Sequence, residues 1–194
     1  DSVVLFTPVY YVFFKQIKEG GREVLECPLV NNNGHYELDF EHYDKLMTGK
    51  EKVLVLSSPH NPGGRVWTKD ELKGIASFAD RHDLILVSDE IHNDLVMPNY
   101  KHIPMALAAP EVEDRLIMMT STTKTFNLAG MHTGNVIIPD ETLRKKFSKT
   151  MVSYGISPNS FGKHMVTAAY SQEGADWVDA LMVYISENLS LIHI

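Results

Sequence analysis

Short apolar runs separated by stretches of helical periodicity constrain this chain more than any other feature. Lys52-Val-Leu-Val-Leu-Ser57, Leu84-Ile-Leu-Val87 and Arg115-Leu-Ile-Met-Met119 each place apolar residues at consecutive positions. That is the pattern of a strand covered on both faces, as in a parallel sheet. Between the first two runs, Thr68 and Glu71 have the spacing of a capping box, and Leu72, Ile75, Ala76, Phe78 and Ala79 share one helical face. Strand, helix and strand in that order need right-handed crossovers, so the expected class is α/β with a mostly parallel sheet. Further strands are predicted over 2–6, 22–28 and 134–139. A helix is predicted to enter at Thr7-Pro8 and run to Glu19, another over 39–47 with Asp39 as its cap, and others over 141–154 and 160–170. Asn31-Asn-Asn-Gly34 reads as a turn.

Composition narrows what such a domain serves. Hydrophobic residues at 44% and charged residues at 22% describe a folded globular chain rather than a disordered one. Eighteen basic against 25 acidic side chains give a formal charge of -7, which argues against nucleic acid or an anionic membrane as the partner and leaves small metabolites. No apolar run is long enough to span a bilayer, no signal peptide is recognisable, and the single Cys27 cannot form an internal disulfide; a cytoplasmic setting is expected. Because Asp1 is followed at once by a buried-strand pattern, the chain is expected to be a piece of a longer one. At the other end Trp177, Leu181, Tyr184 and Ile185 have helical spacing, whereas the tail 190–194 reads as neither a cap nor a further element.

Three unusual stretches each follow a predicted strand, the place where function gathers in open α/β sheets. The first is Pro59-His-Asn-Pro-Gly-Gly64, which alone would be a rigid connector. The second is Asp89-Glu90, whose carboxylates are expected to point into the crevice, although either could simply cap a helix. The third is Thr120-Ser-Thr-Thr-Lys124, where a lysine stands among small hydroxyl residues with its nearest charged neighbours at Arg115 and Asp140. A lysine in a partly dry pocket loses its preference for the ammonium form and becomes a nucleophile toward carbonyls; a lysine that snorkels to water does not. Lysine, carboxylate and amide donors together match what pyridoxal phosphate requires of a protein.

Taken in order and spacing, residues 59–65, 87–92 and 121–130 resemble fold-type I pyridoxal-phosphate enzymes of the class I/II aminotransferase superfamily, and within it the MalY/PatB-like cystathionine β-lyase (C-S lyase) branch. The resemblance implies a three-layer α/β/α large domain over 1–155, helices over 156–189 leading toward a small domain largely missing here, and an atypical tail over 190–194. It implies Lys124 as the cofactor-bearing lysine and base, Asp89 against the pyridinium nitrogen, and Asn61 and His92 at the phenolic oxygen. Ser121 would meet the phosphate and Tyr10 would stack on the ring. Two departures from the aminotransferase pattern stand out: His92 replaces a tyrosine, as in the C-S lyase branch, and His132 replaces a phosphate-binding arginine.

The activity so implied is release of pyruvate, ammonia and a thiol from a cysteine conjugate, by a homodimer acting on a small amino-acid substrate. The alternatives are an aminotransferase and, in a different class, a pyridoxal-phosphate-binding transcriptional sensor. No metal site is expected: His35, His42, His60, His82, His92 and His102 lack ligand spacing and are expected to be solvated or in loops. Cys27 is expected to be buried and inert, and Arg144, Lys145, Lys146 and Lys149 to be a solvated helix face.

Overall fold

A computed structural model describes residues 1–192. Six strands form one sheet in the order β2-β1-β5-β6-β7-β8, and a separate antiparallel pair, β3 and β4, stands apart from it. The sheet strands are β1 (Ser2–Thr7), β2 (Glu23–Pro28), β5 (Glu51–Ser57), β6 (Ile85–Asp89), β7 (Leu116–Thr120) and β8 (Asn135–Ile137). All pair in parallel except β7 with β8. The small hairpin is β3 (Val30–Asn32) with β4 (His35–Glu37), turning at the predicted Asn31–Gly34 stretch. Its three-residue, largely exposed strands carry no apolar alternation, so only the turn was legible.

The helices are α1 (Val12–Glu19), α2 (Phe40–Leu46), α3 (Lys69–Arg81), α4 (Met105–Ala108), α5 (Thr122–Thr125), α6 (Glu141–Ser153), α7 (Ser160–Ala169) and α8 (Gln172–Ile192). Helix α3 begins where its capping box requires: Thr68 Oγ1 accepts from the Glu71 N–H and the Glu71 carboxylate accepts from the Thr68 N–H. Asp39 accepts from the His42 N–H and starts α2. Helix α1 differs from expectation, because Pro8 lies in a loop and the helix starts only at Val12. Helix α8 continues through Ser190–Ile192, where the sequence suggested no element, and the rest of that tail lies outside the described residues.

Right-handed crossovers from β1 to β2 and from β5 to β6 run in opposite directions along the sheet, which puts α1 and α3 on opposite faces. On the α3 face Val4, Phe6, Leu54, Leu56 and Leu86 are buried together with Tyr43, Leu72, Ile75 and Phe78. Phe6, Tyr43 and Phe78 pack ring against ring, with centroids 5.4 and 6.3 Å from Phe6. Fully burying a side chain such as Phe78 contributes about 1.5–3 kcal/mol. On the α1 face Val53, Val55, Ile85 and Val87 are only half-buried. The chain therefore reverses direction between β1 and β5, and a crevice opens at the carboxyl ends of those two strands.

Candidate active site

Four strand ends supply one cleft at that crevice, lined by Tyr10, Ser57, Asn61, Asp89, Ile91, His92 and Lys124. Sheet register sets the arrangement, since Ser57 lies opposite Asp89 and Asp89 opposite Met119. The chain leaving each strand is held to its neighbour: the Ser58 N–H donates to the Asp89 carbonyl (2.9 Å) and the Glu90 N–H to the Met119 carbonyl (2.8 Å). Five of the six residues proposed from sequence thus face one space. Ile91 and Ser57 were not anticipated, because an isoleucine and a serine at strand ends carry no distinguishing pattern.

Asp89 is buried, and among the described residues only the Ile91 N–H donates to its carboxylate, at 3.3 Å. Burial pushes its pKa up to about 6; the Ile91 N–H and the Lys124 charge pull it down, and Glu90 pushes it up. His92 is held below the ordinary histidine value by burial and then by the Lys124 charge, which favours a neutral imidazole beside the carboxylate. Lys124 sits in α5, a single turn after β7, and is exposed. The dry pocket suggested by its sequence neighbours is not what surrounds it, because so short a helix at the end of the sheet leaves the stem open to solvent. Its amine still reaches the cleft that holds Asp89.

Ser121 is buried and faces inward rather than into the cleft. It caps α5 by accepting from the Thr123 N–H (3.1 Å) and donates to the Thr133 carbonyl (2.8 Å). Met131 to Thr133 is in turn held by the Asn159 side-chain amide at the start of α7. Helix α7 comes close at this point: a Cβ on Gly162 would lie 1.9 Å from Thr133 Oγ1.

Glu90 departs from the expectation that both carboxylates face the crevice. It turns into the protein, where it accepts from Ser88 Oγ (2.9 Å), the Met105 N–H (2.9 Å) and His102 Nε2 (2.8 Å). His102 lies in a loop, as expected, but its side chain is a buried partner of Glu90 and not solvated. His60 likewise lies in a loop but is buried there, its Nε2 donating to the Pro8 carbonyl at 2.8 Å. Spacing in the chain could reveal neither, since both partners come from distant elements. Cys27 is fully buried, and burial followed by the Glu51 charge pushes its thiol up to about 12.

Beside the cleft, and sharing Asn61 and His92 with it, lies a larger hollow of about 690 Å³ between residues 59–66 and Leu95–Tyr100. The cleft is far smaller, about 20 Å³, but it is where Asp89 and Lys124 meet. Among the described residues no cluster of His, Cys, Asp or Glu is arranged to hold a metal ion, and no helix is long and apolar enough to cross a membrane.

Comparison with known proteins identifies the family of the chain. The pattern of the family described as aminotransferase class I and II matches residues 1–192. Cystathionine beta-lyase PatB of Bacillus subtilis is 36% identical over 98% of the chain and 49% of its own length. Protein MalY of Escherichia coli is 33% identical over 99% of the chain and 49% of its own length. Among solved structures, cystalysin from Treponema denticola, which contains a pyridoxal 5'-phosphate cofactor, superposes with a TM-score of 0.94 at 39% identity, over 99% of this chain and 49% of that one. The PLP-bound C-S lyase from Staphylococcus hominis gives 0.93 at 32% identity, over 100% and 48%. The chain spans about half the length of the curated relatives it matches.

Proposed function

From the premise that this chain belongs to the aminotransferase class I and II family, we propose that the whole protein is a pyridoxal 5'-phosphate-dependent C-S lyase. It would act on cysteine S-conjugates such as cystathionine and release pyruvate, ammonia and a thiol. The observation that carries this reading is the convergence of Lys124, Asp89, Asn61, His92 and Tyr10 on one cleft, a donor set that fits the cofactor. Asp89 strengthens the fit, because a buried carboxylate with one weak donor is short of the positive partner that a pyridinium N–H would supply.

When bound, the cofactor supplies an electron sink for the pair left on the substrate Cα. Lys124 would hold its aldehyde and move the Cα proton; an exposed stem on a one-turn helix lets the amine swing between those tasks. Asp89 would keep the ring nitrogen protonated. Asn61 and the neutral imidazole of His92 would bond the phenolic oxygen, and Tyr10 would cover one face of the ring. Ser121 would serve the phosphate end only by turning its hydroxyl out of its present bonds to Thr123 and Thr133. Loss of the Cα proton and departure of the Cβ thiolate with its electron pair then leave a fragment that water converts to pyruvate and ammonia.

Homodimerisation belongs to the same proposal and is supported by exposed apolar side chains such as Val152, Phe161 and Tyr184, at 77%, 75% and 62%. So do a cytoplasmic setting and a division of the whole protein near residue 155. The test is the whole protein assayed on cystathionine for pyruvate and thiol, against an amino acid with a 2-oxo acid for transamination. Elimination should be the faster; faster transamination would make the protein an aminotransferase instead.

A further inference from the structure

His60 does not face the cleft, yet it links two of the loops that line it. Its Nε2–H donates to the carbonyl of Pro8, two residues before Tyr10, at 2.8 Å, and its own backbone immediately precedes Asn61. The ring is held on every side. Its N–H and carbonyl bond within the loop, to the Arg65 carbonyl at 2.7 Å and the Gly64 N–H at 2.8 Å. Trp67 meets the imidazole edge to face at 5.3 Å, and Gly63 packs so closely that a Cβ there would lie 2.9 Å from the imidazole Cδ2. Trp67 is itself fixed by its Nε1–H donating to the Ser57 carbonyl at 3.0 Å.

We infer that His60 is a positioning residue: through its single Nε2–H···O bond to Pro8 it sets the separation of Tyr10 from Asn61, and so the alignment of the cofactor ring between them. The inference rests on the cofactor reading for what is aligned, although the bond itself does not. Nδ1 makes no hydrogen bond among the described residues, so the bond to Pro8 is the ring's one hydrogen bond, with the Ser57 backbone a further influence on the same ring. Burial also favours the neutral ring, which leaves one proton for Nε2.

That asymmetry defines the test. In the apo form of the whole protein, nitrogen-15 NMR of the labelled histidines should show His60 protonated at Nε2, bare at Nδ1 and slow to exchange; the opposite tautomer overturns the inference. The same protein is then titrated with pyridoxal phosphate, reading the dissociation constant and the circular dichroism of the bound cofactor. His60→Gln, whose amide nitrogen falls where Nε2 lies, should stay within about twofold of the unsubstituted protein. His60→Asn, whose amide falls at the Nδ1 position, and His60→Leu should weaken binding about three- to tenfold, the range expected from one neutral hydrogen bond, and change the dichroic band. Binding by His60→Asn indistinguishable from that by His60→Gln would overturn the assignment even if His60→Leu could not fold. If the unsubstituted protein bound no cofactor, the functional reading would fall, while the NMR result would still decide whether the bond exists.

Discussion

Two carboxylates one residue apart at the end of β6 have opposite surroundings. Glu90 enters a closed socket in which a hydroxyl, a backbone N–H and an imidazole meet its two oxygens. Asp89 turns the other way, into an open cleft, with one N–H at 3.3 Å. Both are buried, at 1% and 9% exposure, so burial alone does not separate structure from function. Satisfaction does. A buried charge whose partners are all in place holds chain segments together, whereas one short of partners is poised for something that is not protein. Here the socket ties the start of α4 to the end of β6, while the cleft leaves the Asp89 carboxylate with one weak donor.

The contrast can be broken or sharpened by substitution, and the largest effect is expected in the cleft. Replacing Lys124 with Ala in the whole protein should lower pyruvate release by about 10³- to 10⁴-fold, as expected for removal of a group that moves the substrate proton, with little change in the melting temperature of the apo protein. A comparable loss of stability would mean that Lys124 is structural.

The socket should respond in the reverse sense. Glu90→Leu leaves the Met105 N–H and His102 without their acceptor and is expected to destabilise the fold by about 3–5 kcal/mol, measured by urea denaturation. An unchanged midpoint would show that the socket binds nothing together.

Asp89→Asn should give the smallest shift, and with the opposite sign. The Asp89 pKa rises from 3.8 to about 6 on folding, so ionising it opposes folding. That penalty is absent below about pH 4, grows through the interval to pH 6 and is fully present above it. The asparagine variant of the apo protein should therefore be more stable at pH 7–8, by about 2–3 kcal/mol, and no different at pH 3–4, as read from denaturation midpoints across pH. A variant less stable at neutral pH would show that Asp89 already has the partner it needs.

Much of this architecture is legible from local chemistry. The apolar runs of β5, β6 and β7, the Thr68–Glu71 box and the Asp39 cap are decided within a few residues, and each forms where the sequence directs. Asn61, Asp89 and Lys124 are legible for a related reason, because position just after a parallel strand implies a shared crevice. Tyr10, His92 and Ser121 were reached only through resemblance to a family. What escaped reading depends on contacts between distant segments. His60 and His102 look like solvated histidines until Pro8 and Glu90 are brought to them across 52 and 12 residues of chain. Lys124 fails differently: its uncharged neighbours suggested enclosure, but enclosure is a property of the surrounding elements and not of adjacent residues.

Cys27 has a practical consequence. Its sulfur is sealed beneath the sheet and resists ionisation, and it is the one cysteine in these 194 residues. Within this stretch, a cysteine introduced at Tyr11, which is 74% exposed beside Tyr10, would be the thiol that maleimide dyes modify, leaving the native one untouched. A fluorophore placed there would stand at the mouth of the crevice and report, in real time, whatever enters it.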